Sequence, residues 1–187
     1  GQAFFIEGCE NSGKIDCEAA PGTNNGFNRH LAVAGIAGSI ACSKIEANKN
    51  SGKITASLTG CGTANCGGIT NVDGTDFISV NACYNIGQVS GTKAEGFDGS
   101  ILACGSIIGS YDASSEYYPT NCGYLEGTAS AGMSDGTGSA INAGGVTAKS
   151  EVELKADAFL AELNGADTIT NYVANWTRGE DEYPKVN

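Results

Sequence analysis

Asn11-Ser12-Gly13-Lys14-Ile15 recurs as Asn50-Ser51-Gly52-Lys53-Ile54. The pattern returns as Asn85-Ile86-Gly87-Gln88-Val89, then Asn121-Cys122-Gly123-Tyr124-Leu125, then Asn142-Ala143-Gly144-Gly145-Val146. Asn-x-Gly-x-aliphatic thus occurs five times, at spacings of 39, 35, 36 and 21 residues. Between these copies lies a second tract. Leu31-Ala-Val-Ala-Gly-Ile36-Ala-Gly38-Ser39 matches Leu102-Ala-Cys-Gly-Ser-Ile107-Ile-Gly109-Ser110 at an offset of 71 residues. The same offset carries Asn50 onto Asn121. Cys66-Gly67-Gly68-Ile69-Thr70 is a weaker middle copy.

Taken in order, the aliphatic anchors are Ile15, Ile36, Ile54, Ile69, Val89, Ile107, Leu125 and Val146, with intervals of 15 to 21 residues. Short strands returning at such intervals cannot bury their apolar side alone and must stack on their own copies. The expectation is an all-β fold, a β-solenoid (β-helix) of about eight short coils. At the interstrand spacing of about 4.8 Å, eight coils make a rod of roughly 35–40 Å. The recurrent Asn11, Asn50, Asn85, Asn121 and Asn142 fit turns where the side chain caps the following backbone and stacks on its copies. Glycine fits corners where backbones approach closely. A two-sheet sandwich also uses short strands and Gly-rich turns, but gives no reason for one tract to recur five times.

Composition agrees with a thin core. Leu, Ile, Val and Phe supply only 35 of the 187 residues, whereas Gly alone supplies 28. The formal net charge of −11 argues against nucleic acid or an anionic membrane as partner. No run of apolar residues is long enough to span a bilayer.

The texture changes near Ser150. Residues 1–149 carry the repeats, and 150–187 read as a helix and capping tail of the same domain. Ser150-x-x-Glu153 is a capping box. Val152, Ala156, Phe159, Leu160 and Leu163 follow near helical spacing, and Asn164-Gly165 ends the run, so a helix is expected over about 151–163. An open sheet end is an aggregation template, and a terminal helix covering it is the expected remedy. Trp176 reads as a core plug in the tail.

The repeats resemble the GLUG-motif repeats of bacterial surface proteins. Ala82-Cys83-Tyr84-Asn85-Ile86-Gly87-Gln88-Val89-Ser90-Gly91 is close to one half of that motif, and Leu31 to Ser39 and Leu102 to Ser110 resemble its glycine-rich half. Phe159 to Asn164, Trp176 and Tyr183-Pro184 resemble what often follows such repeats. The resemblance covers most of residues 8–187. The chain departs from the pattern at Asn71 and Cys122. The resemblance implies a secreted or surface-attached bacterial protein, serving as stalk or adhesive module, with no catalytic residues to carry over.

Eight cysteines invite disulfides in an extracellular chain. Their register suggests otherwise. Cys9 and Cys83 both precede a repeat Asn by two, and Cys66 and Cys104 both precede an anchor Ile by three. Mostly free, buried thiols are expected, with Cys61 and Cys66 the pair placed for a local bridge. Zinc is not expected, because Cys61-x4-Cys66 has no second pair and the chain has one His. His30 lacks the neighbours that nucleophilic catalysis requires. Asp73, Asp76, Asp98 and Asp135 lie in Asp-Gly-type turns, which are good turns without a calcium-loop spacing. No cofactor is expected.

The functional expectation is a non-catalytic surface or secreted module. It would bind a glycan or an extracellular protein, and would be monomeric as an isolated domain. Tyr111, Tyr117 and Tyr118 in the irregular stretch 111–120 are the candidate contact residues, since loop tyrosines offer flat amphipathic surface. The alternatives are an inert spacer or a glycan-active enzyme using paired carboxylates.

Overall fold

The computed structural model describes residues 4–19, 29–41, 43–60, 62–72, 79–96, 100–112, 118–141, 144–165 and 175–187. The chain lays down short strands in levels of five. The first level is β1 (Phe4–Glu7), β2 (Glu10–Asn11), β3 (Ile15–Ala19), β4 (Arg29–Ala34) and β5 (Ala37–Ile40). The second is β6 (Ser43–Glu46), β7 (Lys49–Asn50), β8 (Ile54–Leu58), β9 (Gly62–Gly67) and β10 (Thr70–Val72). The third is β11 (Ser79–Asn81), β12 (Tyr84–Asn85), β13 (Val89–Lys93), β14 (Ile101–Gly105) and β15 (Ile108–Tyr111). Then come β16 (Cys122–Leu125), β17 (Met133–Asp135), β18 (Ala140–Ile141) and β19 (Val146–Lys149).

Every strand in the second level pairs in parallel with the strand five before it and the strand five after it. The result is a mostly-β, solenoid-like repeat of parallel sheets with three to five strands each. Ile15, Ile54 and Val89 stand in one column. Ile36 donates its backbone N–H to Ile69, and Ile69 donates to Ile107, in another. The eight anchors are therefore not eight levels. Two columns interleave along the first three levels, so the true period there is 32–39 residues, and it shortens to 24–25 beyond β15 and β16; the sheet with most parallel levels, β2-β7-β12-β16-β19, has five. Four steps of about 4.8 Å span roughly 20 Å, half the expected rod.

Two further columns explain the sequence. At one corner Gly8, Ala47, Ala82, Asn121 and Gly145 all take positive φ, between 50° and 97°. One left-handed residue per level turns the chain there; glycine and asparagine accept this backbone readily, whereas the two alanines strain. The second column is the asparagine ladder. Asn11 Nδ2 donates to Asn50 Oδ1 at 2.7 Å, and Asn50 Nδ2 donates to Asn85 Oδ1 at 2.6 Å. Each Asn also closes a local turn. Its Nδ2 donates to the carbonyl of the glycine two residues on, and its Oδ1 accepts that glycine's N–H.

The ladder ends after three members. Asn85 pairs with Tyr124, not Asn121, so the expected fourth copy is displaced by three residues to the left-handed corner. Asn142 lies outside the described residues. Where the fourth amide is missing, Ser106 supplies the acceptor: Asn85 Nδ2 donates to its Oγ at 2.8 Å. Ser106 can do this because it occupies the slot of Gly35 and Gly68. Those two glycines stack, with Gly35 N–H donating to Gly68 O, directly against the asparagine side chains.

The ladder divides the interior. On one side lies the larger apolar cluster, which includes Ile45, Ile69, Val80, Ile107, Ile108 and Met133. On the other lies a lobe formed by β3-β8-β13 and β4-β9-β14, filled by Ile54, Ala56, Leu58, Ala64, Cys66 and Val89. The fourth level omits the lobe. The chain goes from β16 to β17 through residues 126–132, and Val89 and Ser106 donate their N–H groups to Thr128 and Ala131 as it crosses. The third-level strands of the lobe are thereby left as its edge.

The tail contains two helices, α1 (Glu151–Leu154) and α2 (Asp157–Asn164), in place of the single helix expected over 151–163. Ala156 is extended, with φ −77° and ψ 151°, and restarts the chain as the N-cap of α2. The capping box forms as read from the sequence. Replacing Ser150 by alanine is expected to cost about 1 kcal/mol, read as a lower urea midpoint. Hydrogen bonds from the Ser150 hydroxyl and N–H hold the exposed Glu153 carboxyl below its ordinary value. A lowered folded pKa contributes stability above the unfolded value that is lost as pH falls. Glu153→Gln is therefore expected to flatten part of the acid limb of the stability profile.

The tail does not plug the end of the stack as expected. It lies along one flank. Leu154, Phe159, Leu163 and Trp176 pack on Ala47, Ala82 and Tyr84. Phe159 meets Tyr84 edge-on, with ring centroids 5.7 Å apart. The antiparallel pair β20 (Trp176–Arg178) and β21 (Pro184–Val186) completes the cover. The Tyr84 hydroxyl donates to the Pro184 carbonyl. Tyr84 belongs to the column Glu10–Lys49–Tyr84, in which Lys49 bridges Glu10 at 3.1 Å and sits 5.8 Å from the Tyr84 ring centre. Trp176 is buried, as read from the sequence.

Candidate functional site

The three candidate tyrosines have different fates. Tyr111 is the last residue of β15 and only 2% exposed, packed with Ile108 and Met133. It is a core residue, not a contact surface. Its position in a regular strand, two residues past Gly109, was the signal that the loop began later. Tyr118 is 52% exposed and lies with its ring 6.0 Å from that of Tyr111. The core thus anchors an exposed aromatic through a buried one. Tyr117 lies outside the described residues.

One concavity was not foreseen in the sequence. It sits where the fourth level omits the lobe, and holds about 430 Å³. Val89, Ser90 and Gly91 of β13, Leu102 and Cys104 of β14, and Ala129 of the crossing segment line it. Gly91 has a positional role. A Cβ there would fall 2.6 Å from Leu102 Cδ1 and 2.9 Å from Cys104 Sγ. The space left by the missing side chain is taken by the Leu102 side chain and the Cys104 thiol together. Only the unequal repeat lengths carry this feature in the sequence, because it arises from what the fourth level lacks.

The six described cysteines, Cys9, Cys17, Cys66, Cys83, Cys104 and Cys122, are free thiols, while Cys42 and Cys61 lie outside the described residues. Two pairs stack across levels. Cys66 and Cys104 are direct partners on β9 and β14. Cys83 and Cys122 stand one residue before the paired Tyr84 and Gly123. The pairs differ in access. Cys83 and Cys122 are both fully buried, and burial, then the neighbouring Cys83 thiol, push Cys122 well up. Cys66 is fully buried, but Cys104 is half-buried and lines the groove. The stacked Cys104 thiol, with burial adding to the rise, holds Cys66 up, and Cys66 in turn lowers Cys104.

Another concavity, of about 460 Å³, lies over β3 and β8, with Lys14, Asp16, Glu18, Lys53, Thr55 and Ser57 around it. Its charges are mixed, two lysines against two carboxylates, and Lys14 already pairs with Asp16. Asp135 spends its carboxylate on its own turn, accepting from Thr137 N–H at 2.8 Å and Ser139 N–H at 2.9 Å. His30 Nε2 is 3.0 Å from Asn65 Nδ2. Asp73, Asp76 and Asp98 lie outside the described residues. Among the described residues, no group of three or more His, Cys, Asp or Glu side chains is arranged to hold a metal ion. No described helix is long and apolar enough to cross a membrane.

Comparison with protein-family models, with curated proteins and with solved structures finds no match to the chain.

Proposed function

We propose that this chain is a β-solenoid module of a bacterial cell-surface or secreted protein, a non-catalytic stalk that also serves as an adhesin. The observation that carries this reading is the asparagine ladder. Asn50 and Asn85 are fully buried, yet each makes two donations and two acceptances within the stack. The polar side chains at the centre of the molecule are spent on holding one level to the next. That is the economy of a scaffold. The likeness of Ala82 to Gly91 to GLUG repeats supports a bacterial surface setting, and repeats and tail then form one domain. Contact with a glycan or protein falls to the exposed flank, where Tyr118 rests on Tyr111.

An array of host and microbial glycans and extracellular proteins, with product analysis of every hit, tests the reading. Binding without turnover is the expected result for an adhesin. Tyr118→Ala should then weaken it by roughly tenfold, the scale of losing one aromatic contact of about 1.4 kcal/mol. A uniformly silent array fits the stalk alone. Turnover of any bound glycan overturns the non-catalytic reading.

A further inference from the structure

We infer that Cys104 and Cys66 form a thiol modification site that takes low-molecular-weight disulfides through the groove and closes a bond between the second and third levels. Four observations place it. The two residues are in register on adjacent parallel strands, and strands so paired lie about 4.8 Å apart, within the Cα range of about 4.4–6.8 Å that a disulfide spans. In-register partners of a parallel sheet project to the same face, and both cysteines belong to the apolar cluster that fills the lobe. Both sulfurs face neighbouring residues of β13: Cys66 Sγ lies 3.6 Å from the Ser90 carbonyl, and Cys104 Sγ would lie 2.9 Å from a Cβ on Gly91. Only Cys104 reaches the groove.

The chemistry divides between them. Cys104, released of its proton, attacks one sulfur of the incoming disulfide RSSR. The S–S bond breaks, one RS⁻ leaves and takes up a proton, and Cys104 carries the mixed disulfide. Cys66 gives up its proton and attacks the Cys104 sulfur, and the second RS⁻ departs. Two protein thiols are oxidised to one disulfide and RSSR is reduced to two RSH. The groove admits the small reactant, and the buried Cys66 meets it only through Cys104. The bond formed ties β14 to β9 at the one place where the lobe has no fourth level above it. There it would keep the edge from opening.

Cys83 and Cys122 provide an internal contrast, being stacked but sealed. Cys9 and Cys17 provide another, being accessible but without a cysteine in register on the neighbouring strand.

The probe is oxidised glutathione applied to the folded protein, followed by acid quench, alkylation and peptide mapping by mass spectrometry. The expected product is a Cys66–Cys104 disulfide, with Cys83 and Cys122 still reduced. In Cys66→Ser, glutathione should remain on Cys104. In Cys104→Ser, Cys66 should stay a free thiol. The wild-type map needs no variant to fold. Three results overturn the assignment: a stable glutathione adduct on Cys104 while Cys66 stays reduced, Cys66 linked to any other cysteine, or Cys104 unmodified under conditions that modify Cys9.

Discussion

Gly52→Ala is expected to cost about 3 kcal/mol or more, the upper end of what overpacking does. Its Cβ would stand 2.0 Å from the Gly13 carbonyl oxygen and 2.6 Å from Asn11 Nδ2. The obstacle is the backbone of the level below, so no rotamer change relieves it. Gly52 does not need left-handed torsions; it is glycine because two levels touch there. Gly87 repeats the arrangement, 2.0 Å from the Gly52 carbonyl. Gly13, in the first level, meets nothing nearer than Asn11 Oδ1 at 3.5 Å. Gly13→Ala should therefore stay within about 1 kcal/mol of the parent, and the gain from a stiffer unfolded chain can make it neutral. Paired thermal melts read the difference. At this chain length 3 kcal/mol lowers Tm by roughly 6–12 °C. Equal losses for the two variants would contradict the stacking of these glycines.

Asn50→Ala is expected to be nearly as damaging. Asn50 is wholly buried and makes four bonds: to Asn11, to Asn85, and to both backbone groups of Gly52. Truncation leaves the Gly52 C=O without its donor in a buried turn and removes both amide–amide bonds, while the Gly52 N–H keeps the Asn11 carbonyl. The orphaned carbonyl costs about 1–3 kcal/mol and each lost amide–amide bond about 1 kcal/mol, so a total near 3 kcal/mol is expected in urea titration. Asn11→Ala, at the exposed end of the ladder, should cost about 1 kcal/mol. Asn50→Asp is sharper still. It removes both donations and sets a carboxylate oxygen against Asn85 Oδ1. Burial and that acceptor would raise the carboxyl's folded pKa above its unfolded value, so the penalty should shrink as pH falls and the acid protonates. A ladder variant whose stability does not recover towards acid pH would contradict this geometry.

The repeat and its parallel sheets were legible because stacking imposes identity on the residues that touch. Asn11, Asn50 and Asn85 recur since each amide must meet another amide, and Gly13, Gly52 and Gly87 recur with them. Two things were misread. The first was the period. Both tracts end on an aliphatic residue, so Ile15, Ile36 and Ile54 looked like one series rather than two columns on either side of the ladder. The second was the register of the fourth level. Asn121-Cys-Gly123 matches the motif by eye, but the structure pairs Asn85 with Tyr124. Cys83 and Cys122, 39 residues apart like Asn11 and Asn50, carried the true offset. A cysteine buried in a fixed slot is a better register mark than a polar residue that can serve two kinds of turn. The groove was not legible at all, because it is made by an omission. Tyr111 was misplaced for a plainer reason: tyrosine suits a strand interior as well as a binding loop.

Through its first three levels the chain pairs with itself at separations of 32–39 residues. Through-hydrogen-bond couplings in an isotope-labelled sample measure this pairing most directly. The account predicts a coupling from the Ile54 amide nitrogen to the Gln88 carbonyl carbon and from the Ile86 nitrogen to the Asn50 carbonyl, the two donations seen here at 2.8 and 2.9 Å. Couplings between residues 18–21 apart, such as Ile54 with the tract around Ile36, would contradict it and restore a stack of eight short coils.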